Sequence, residues 1–394
     1  MLRISHVSLA KAALVSASLV LLLVASRQAT SAEAATIQVG IGVGTGTITG
    51  NVFAPGEFTI NTGDSVTWTV KSDEVHTLTF GNGPAGAPPP TWPSTFTAGP
   101  PNLGSVDYSG TGFINTAIIP KGTTATVHFT SPGDVEFHCV LHPGMKGKVH
   151  VVAPPAAPDT QATLDQKAAA TQSQILSQVD ALKTQGQAAA TSQTRPDGST
   201  LWTVPTQALT QPGPMPGGGE GYLELTRYFP DNLQIKQGDS VIWQAAAPHT
   251  VTFLAPGQTT TALEQQYGGQ LNVPPAKPSE NYDPTQLYHS GVLTLGPPGS
   301  PTSYELTFTN AGTFGYLCLL HDDLGMKGTI SVSAVSPTAT AAPTTTPAGL
   351  PKTGGEPAGG GDPGWQLLSV IGLAMVLATL AAAAIVRRTR ARTD

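Results

Sequence analysis

The chain has 394 residues, of which only 11 % are charged, while Gly (44) and Pro (35) are abundant. That length predicts two or three domains, and the composition favours turn-rich β domains with flexible connections. A formal net charge of −6, with no basic patch interleaved with aromatics in the body of the chain, argues against nucleic acid as a partner.

Residues 1–34 read as a secretory signal peptide. Arg3 and Lys11 flank an apolar run from Ala12 to Ala25, and Ala32-Glu33-Ala34 supplies an A-x-A cleavage site. The apolar run is short for a membrane span. Residues 36–153 then carry the pattern of a first β domain. The run Gly40, Gly42, Gly44, Gly46 has no helix start after it, so it predicts a flexible or edge β segment rather than a phosphate loop. Phe58–Trp68 reads as strand, Gly-Asp turn, strand. Thr124–Phe129 alternates apolar and polar residues, Ser131-Pro132-Gly133 turns the chain, and a further strand leads to Cys139. Lys148–Val152 reads as a closing strand.

Residues 154–218 differ: they are rich in Ala, Gln, Thr and Pro. Ile175, Val179 and Leu182 recur at helical spacing, which predicts a helix over 161–186 within an otherwise flexible linker. Residues 219–335 repeat the first domain. Leu233–Trp243 matches Phe58–Trp68 at an offset of 175 residues. Tyr304–Phe308, the turn Asn310-Ala311-Gly312, a strand ending at Cys318 and the strand Thr329–Val332 follow as before. Short alternating strands and frequent turns predict an all-β chain of two antiparallel β-sandwiches. Each domain also has a Pro-rich insertion, at 81–105 and 255–285, read as surface loops.

A Pro/Thr/Gly-rich stalk is expected over 336–364, a transmembrane helix over 365–386 and a basic cytoplasmic tail over 387–394. Leu350-Pro351-Lys352-Thr353-Gly354 resembles the LPxTG motif of sortase substrates, so Leu350, Pro351, Thr353 and Gly354 are the expected sorting residues, with cleavage after Thr353. Both routes, cell-wall attachment and single-pass membrane anchoring, hold the domains at the outer face of a cell.

Cys139 and Cys318 are the only cysteines. Each is followed three positions on by a His (His142, His321) and then by a Met (Met145, Met326). Each domain also has an upstream His in a matching H-T-(L/V)-T-F segment: His76 and His249. One thiolate, two imidazoles and a weak thioether form the donor set that suits copper cycling between two oxidation states. Zinc fits the Met and the strand context less well. A disulfide between the cysteines is disfavoured, because each lies inside its own complete set.

These residues make the chain resemble the cupredoxin family of blue-copper proteins, twice over. The first domain, with C-x₂-H-x₂-M spacing, resembles amicyanin. The second, with C-x₂-H-x₄-M, resembles plastocyanin and pseudoazurin. The resemblance implies two cupredoxin-like Greek-key β-sandwiches, each holding one type 1 copper ion. The implied ligands are His76, Cys139, His142 and Met145, and His249, Cys318, His321 and Met326. It further implies one-electron transfer between transient redox protein partners. His142 and His321 would reach the surface as electron ports, amid an apolar docking face of Leu141, Pro143, Leu319 and Leu320. Thr77 and Thr250 depart from the pattern, standing where many relatives have an Asn that ties the ligand strand to the Cys loop.

Two rivals remain in the sequence. A nitrite reductase-like enzyme would need a second copper in a domain. His138, just before Cys139, is the type of residue that would hold it, but the additional histidines are missing and Leu317 takes its place in the second domain. A copper-delivery protein would release its ion readily, which suits a preset four-ligand site poorly. His128, His150 and His289 are expected at the surface. Residues 36–152 carry four basic and seven acidic side chains and residues 219–335 carry four and ten, so the second domain is the more acidic and suits a basic partner.

Overall fold

Apolar residues at alternate positions bury one side of each strand, and the core of each domain follows from that alternation. In the computed structural model, which describes residues 34–335 apart from 85–90, 155, 246 and 295–298, the first domain comprises ten strands. They are β1 (Thr36–Val43), β2 (Ile48–Ala54), β3 (Glu57–Asn61), β4 (Ser65–Val70), β5 (Thr79–Phe80), β6 (Asn102–Tyr108), β7 (Ile114–Asn115), β8 (Thr124–Phe129), β9 (Gly133–His138) and β10 (Lys146–Val152). One face of the sandwich runs β6-β8-β4-β1-β2; the other joins β10, β9, β5 and β7, with β3 on β10. Trp68 is fully buried between them, edge-on to Phe80 at 5.6 Å and Phe137 at 5.4 Å.

The pairing is mixed rather than wholly antiparallel as expected. β1 with β4, β3 with β10, and β6 with β8 run parallel. The reason lies in the connections: β3 and β4 are successive strands on opposite faces, so sheet neighbours are not always chain neighbours. The Gly40–Gly46 run also differs from expectation. Its first half lies in β1, which has β2 on one side and β4 on the other, so it is not an edge.

The connecting segment is no loose tether. Two helices form, α1 (Gln161–Ser177) and α2 (Val179–Ala189), and Thr160 caps α1 by accepting from the Thr163 N–H. Their buried residues include Ile175 and Leu182, the helical-period positions of the sequence. Beyond them lie β11 (Thr191–Thr194), β12 (Thr200–Pro205), β13 (Ala208–Leu209) and β14 (Gly213–Pro214). β12 lies parallel to β17 (Ser240–Gln244), with Leu201 opposite Ser240, as β1 lies parallel to β4 with Thr36 opposite Ser65. Residues 200–205 therefore supply the second sandwich with its counterpart of β1. They were unreadable as such because that strand lacks the Gly-Asp signature that marks its neighbours.

The second domain continues with β15 (Glu220–Leu225), β16 (Asn232–Lys236), β17, β18 (Thr252–Phe253), a short helix α3 (Thr260–Tyr267), β19 (Tyr288–His289), β20 (Ser303–Thr307), β21 (Gly312–Leu317) and β22 (Lys327–Ser333). Its sheets run β11-β12-β17-β20 and β16-β22-β21-β18-β19. Trp243 repeats the role of Trp68, against Phe253 at 5.8 Å and Tyr316 at 5.2 Å.

The two copies meet through β15, which pairs antiparallel with β2 of the first domain. Thr49 lies opposite Glu224, and these positions are 175 apart, the same offset that relates Gly63 to Gly238 and Pro55 to Pro230. The repeats thus meet at equivalent positions about a local two-fold. A third apolar core seals the contact: Val43, Val52 and Ala54 from the first domain, Ile175 and Leu182 from the helices, and Leu223, Leu225 and Phe229 from the second.

The signal segment, the stalk with Leu350, Pro351, Thr353 and Gly354, the apolar stretch 365–386 and the basic tail all lie outside the described residues. Among the described residues no helix is long and apolar enough to cross a membrane.

Because Leu182 is buried in the core shared by both domains, Leu182→Ala should destabilise the pair by about 2–5 kcal/mol in chemical denaturation. The two sandwiches should unfold together in one transition. Two separate transitions, only one of them shifted by the substitution, would contradict the shared core.

Candidate metal centres

Each centre sits where a strand ends and the next begins. β9 stops at His138 and β10 starts at Lys146, so Cys139, His142 and Met145 share one short loop. That loop is closed by its own backbone: the Cys139 N–H donates to the Met145 carbonyl (3.0 Å) and the Met145 N–H to the His142 carbonyl (2.9 Å). In the second domain the Cys318 N–H donates to the Met326 carbonyl (3.1 Å) and the Met326 N–H to the His321 carbonyl (3.0 Å). The two extra residues are taken up by a turn in which the Gly325 N–H donates to the Asp322 carbonyl (3.2 Å). The upstream ligands come from a different part of each sandwich. His76 is held by paired backbone bonds to Ile119 (3.1 and 2.8 Å), and His249 by the same bonds to Leu293 (3.0 and 2.7 Å).

The structure gathers His76, Cys139 and His142 into one cluster, and His249, Cys318 and His321 into another. In the first, Cys139 Sγ lies 3.9 Å from His76 Nδ1 and 3.3 Å from His142 Nδ1. In the second, Cys318 Sγ lies 3.9 Å from His249 Nδ1 and 3.4 Å from His321 Nδ1, and the two Nδ1 atoms are 3.2 Å apart. Donors at about 2.0–2.3 Å from a shared ion in a trigonal plane stand roughly 3.6 Å from one another. Both clusters have that size. Met145 and Met326 are buried, each in the apolar cluster of its own Cys.

Thr77 and Thr250 do the work of the missing Asn. Each donates its backbone N–H to the cysteine sulfur (3.3 Å in both domains). Each hydroxyl accepts from the loop: the Val140 N–H at 2.9 Å, the Leu319 N–H at 2.7 Å. The ligand strand and the Cys loop are thereby tied together before any ion arrives.

Burial sets the charge state of the metal-free clusters. It pushes the Cys139 thiol up and the Cys318 thiol up to about 11. It pulls His142 down to about 3, with a smaller contribution from the His321 ring, and His321 down to about 4. His76 and His249 fall well below the usual range for the same reason. The sets are therefore neutral without an ion, and a bound cation is what favours the thiolate.

Several residues of the site escaped the sequence reading. Gly42 has φ of +70°, and a Cβ there would fall 2.2 Å from Ser72 Oγ and 2.5 Å from His76 Nε2. Only glycine fits against the ligand. Ser72 Oγ is 2.8 Å from His76 Nε2 and fixes its ring. Glu74 and Glu224 are buried carboxyls facing the Nε2 atoms of His321 (3.6 Å) and His249 (3.9 Å). Burial raises both to about 7, Glu74 further through Glu224. Nothing in their local sequence marks them, since each serves a ligand remote in the chain.

The expected electron ports are covered. His142 is 9 % exposed and the His321 side chain 12 %. The β1–β2 turn at Gly46 and Thr47 approaches Leu324 and Gly325 of the second Cys loop, and Pro212 lies against Gly144 of the first. Leu319 is fully buried with Leu263 of α3 and Val273, so the second insertion packs beside the Cys loop rather than standing off as surface decoration. His289 is likewise buried, not exposed: β19 pairs with β18, and His289 Nδ1 lies 2.9 Å from Thr252 Oγ1. It occupies the place of Asn115, which accepts from Thr79 at 2.9 Å in the first domain. His128 is partly exposed beside Asp107 (2.9 Å). His138 is half-buried and burial lowers its pKa.

The sequence profile of the plastocyanin/azurin family of copper binding proteins matches residues 39–152 and again 220–333. The chain belongs to that family, as two tandem domains. A plastocyanin of Scenedesmus fuscus is 33 % identical over 107 residues, covering 27 % of this chain and 85 % of its own. A mutant fern plastocyanin is 20 % identical, covering 33 % of this chain and 99 % of that one, with a TM-score of 0.18. A purple cupredoxin from Nitrosopumilus maritimus is also 20 % identical, covering 29 % and 99 %, with a TM-score of 0.20. The family makes this a copper-binding electron-transfer protein.

Two outcomes follow from the geometry. Thr250→Val removes the acceptor of a buried N–H and should cost about 1–3 kcal/mol in the metal-free protein, read by denaturant unfolding; an unchanged midpoint would show that the hydroxyl does not hold the loop. His150 lies between Glu57 (2.7 Å) and Asp134 (2.8 Å), whose bonds raise its pKa. Its stabilising charge is present in full below the unfolded value near 6.5 and is lost as pH rises through the raised folded value. His150→Gln should therefore destabilise the protein at pH 5.5 and do little at pH 9; equal losses at both would refute the ion pair.

Proposed function

We propose that this is a blue-copper protein with two type 1 centres, held at the outer face of a cell, which passes single electrons between transient redox protein partners. The observation that carries it is the pair of buried His/Cys/His clusters with donor spacings of 3.2–3.9 Å. A copper ion bound there supplies a one-electron couple. The chain's own contribution is to fix the ligands. The Thr hydroxyls and the closed Cys loops hold them in place, so that little rearrangement accompanies a change of oxidation state. His76, Cys139 and His142 hold the first ion with Met145 as the weak fourth donor. His249, Cys318 and His321 hold the second with Met326 in that place.

The protein is read as a carrier, not an enzyme. Among the described residues, the groups of metal-ligand type close enough to share an ion are these two, and neither includes His138. The surface location rests on the signal segment and on the LPxTG-like sequence with its apolar stretch. The greater acidity of residues 219–335 suits a basic partner for that half.

Metal analysis, visible spectroscopy and voltammetry test this. Two coppers per chain, an intense blue colour and two one-electron waves are expected, and Cys318→Ser should remove one wave and leave the other. A colourless protein with free thiols after exposure to cupric salt, or a third copper with turnover of nitrite, would overturn it.

A further inference from the structure

Glu74 stands two residues before His76, yet its carboxylate serves the other domain. Oε2 lies 3.6 Å from Nε2 of His321. The side chain is buried, and Oε2 has no hydrogen-bond partner, while Oε1 accepts the Val75 N–H at 3.2 Å. A bare buried carboxyl oxygen is costly, so its placement calls for a donor. His321 can be that donor. Its Nδ1 faces Cys318 Sγ at 3.4 Å; once Nδ1 is given to an ion, the ring proton must sit on Nε2, the atom 3.6 Å from Glu74 Oε2.

The second upstream ligand has a related arrangement. Nε2 of His249 is buried and unpartnered, 3.9 Å from Glu224 Oε1. The other oxygen of Glu224 accepts from Nδ2 of Asn51, a fully buried residue of β2 in the first domain, at 2.9 Å. The first upstream ligand differs: Nε2 of His76 is held by Ser72. Two residues before His249 stands Ala247, so the second domain has no counterpart of Glu74 at that position.

We propose that Glu74 is a positioning residue acting across the domain boundary: it fixes the His321 ring, so the second centre is completed by a side chain of the first domain. The inference rests on the reading of the clusters as metal centres. It assigns the domain interface a function beyond adhesion, which is to set the properties of the second centre separately from those of the first.

The test uses the full-length protein. In its metal-free form, ¹⁵N spectra of the imidazoles, with His321 assigned through His321→Gln, should show the His321 ring nitrogens shifted in Glu74→Ala. The His142 signals should stay in place. Glu74→Gln keeps an acceptor oxygen and should restore most of the wild-type shift. An unmoved His321 in Glu74→Ala would overturn the proposal. In the copper-loaded protein, each centre is isolated by removing the other cysteine. With Cys139→Ser, Glu74→Ala should shift the absorption and potential of the second centre, with partial rescue by Glu74→Gln. With Cys318→Ser, it should leave the first centre's absorption unchanged. Equal shifts in both backgrounds would mean a general loss of structure and would also overturn it. Absence of colour in both backgrounds would sink the copper reading, while the metal-free spectra still decide the Glu74 contact.

Discussion

One strand pairing decides what the metal clusters face. β15 hydrogen-bonds to β2 at the position where each strand is the repeat equivalent of the other, Thr49 opposite Glu224. An antiparallel pair centred on equivalent residues imposes a local two-fold, and a two-fold brings like regions of the two sandwiches together. The regions brought together include the Cys loops. The β1–β2 turn of one copy lies by the Cys loop of the other, and the His321 ring is near enough to add to the effect of burial in opposing protonation of His142. The family resemblance placed this loop histidine at the surface. Here the same ligand in each copy is withdrawn from water by the other copy and by the connecting segment.

That withdrawal has an energetic consequence. Polar ring atoms taken out of water need partners, because a buried donor or acceptor left bare costs on the order of 1–3 kcal/mol. Inside one domain a small hydroxyl serves, as Ser72 does for His76. For the second centre the partners are longer acids, Glu74 across the interface for His321 and Glu224 of the same domain for His249. Desolvation raises the cost of ionising both carboxyls, and Glu224 adds to it for Glu74. Such an arrangement is poor as a source of stability. Its retention is better understood through the ligand rings that it contacts.

Much of this was legible in the chain. The His/Cys/His groupings around Cys139 and Cys318 were legible because they are largely local: the Cys and the next His share one short loop, and the upstream His sits in a repeated H-T-(L/V)-T-F segment. The helix of the connecting segment was legible from Ile175, Val179 and Leu182. Its packing was not, since a helical period shows which face is buried without showing against what. β12 was missed for a different reason: Thr200–Pro205 alternates too weakly to stand out, and its partner β17 is some forty residues on. His289 misled because Tyr288-His289-Ser290-Gly291 carries a turn signal at Gly291, and Tyr288 and His289 are a strand only by virtue of pairing with Phe253 and Thr252.

The residues that sequence patterns cannot reveal are those that act on a distant part of the chain. Gly42 must lack a side chain because His76 lies against it, and no local rule in β1 demands that. Glu74, in a bend two residues before His76, carries no local mark of its place beside His321 of the second domain. The duplication supplied two equivalent frames, but their later side chains differ: Thr49 against Glu224, Asn115 against His289, a loop shorter by two residues against a longer one. Symmetry in the backbone fixes where the centres meet; the asymmetry of the side chains between them is what sets Glu74 beside His321, since Ala247 stands at the corresponding place before His249.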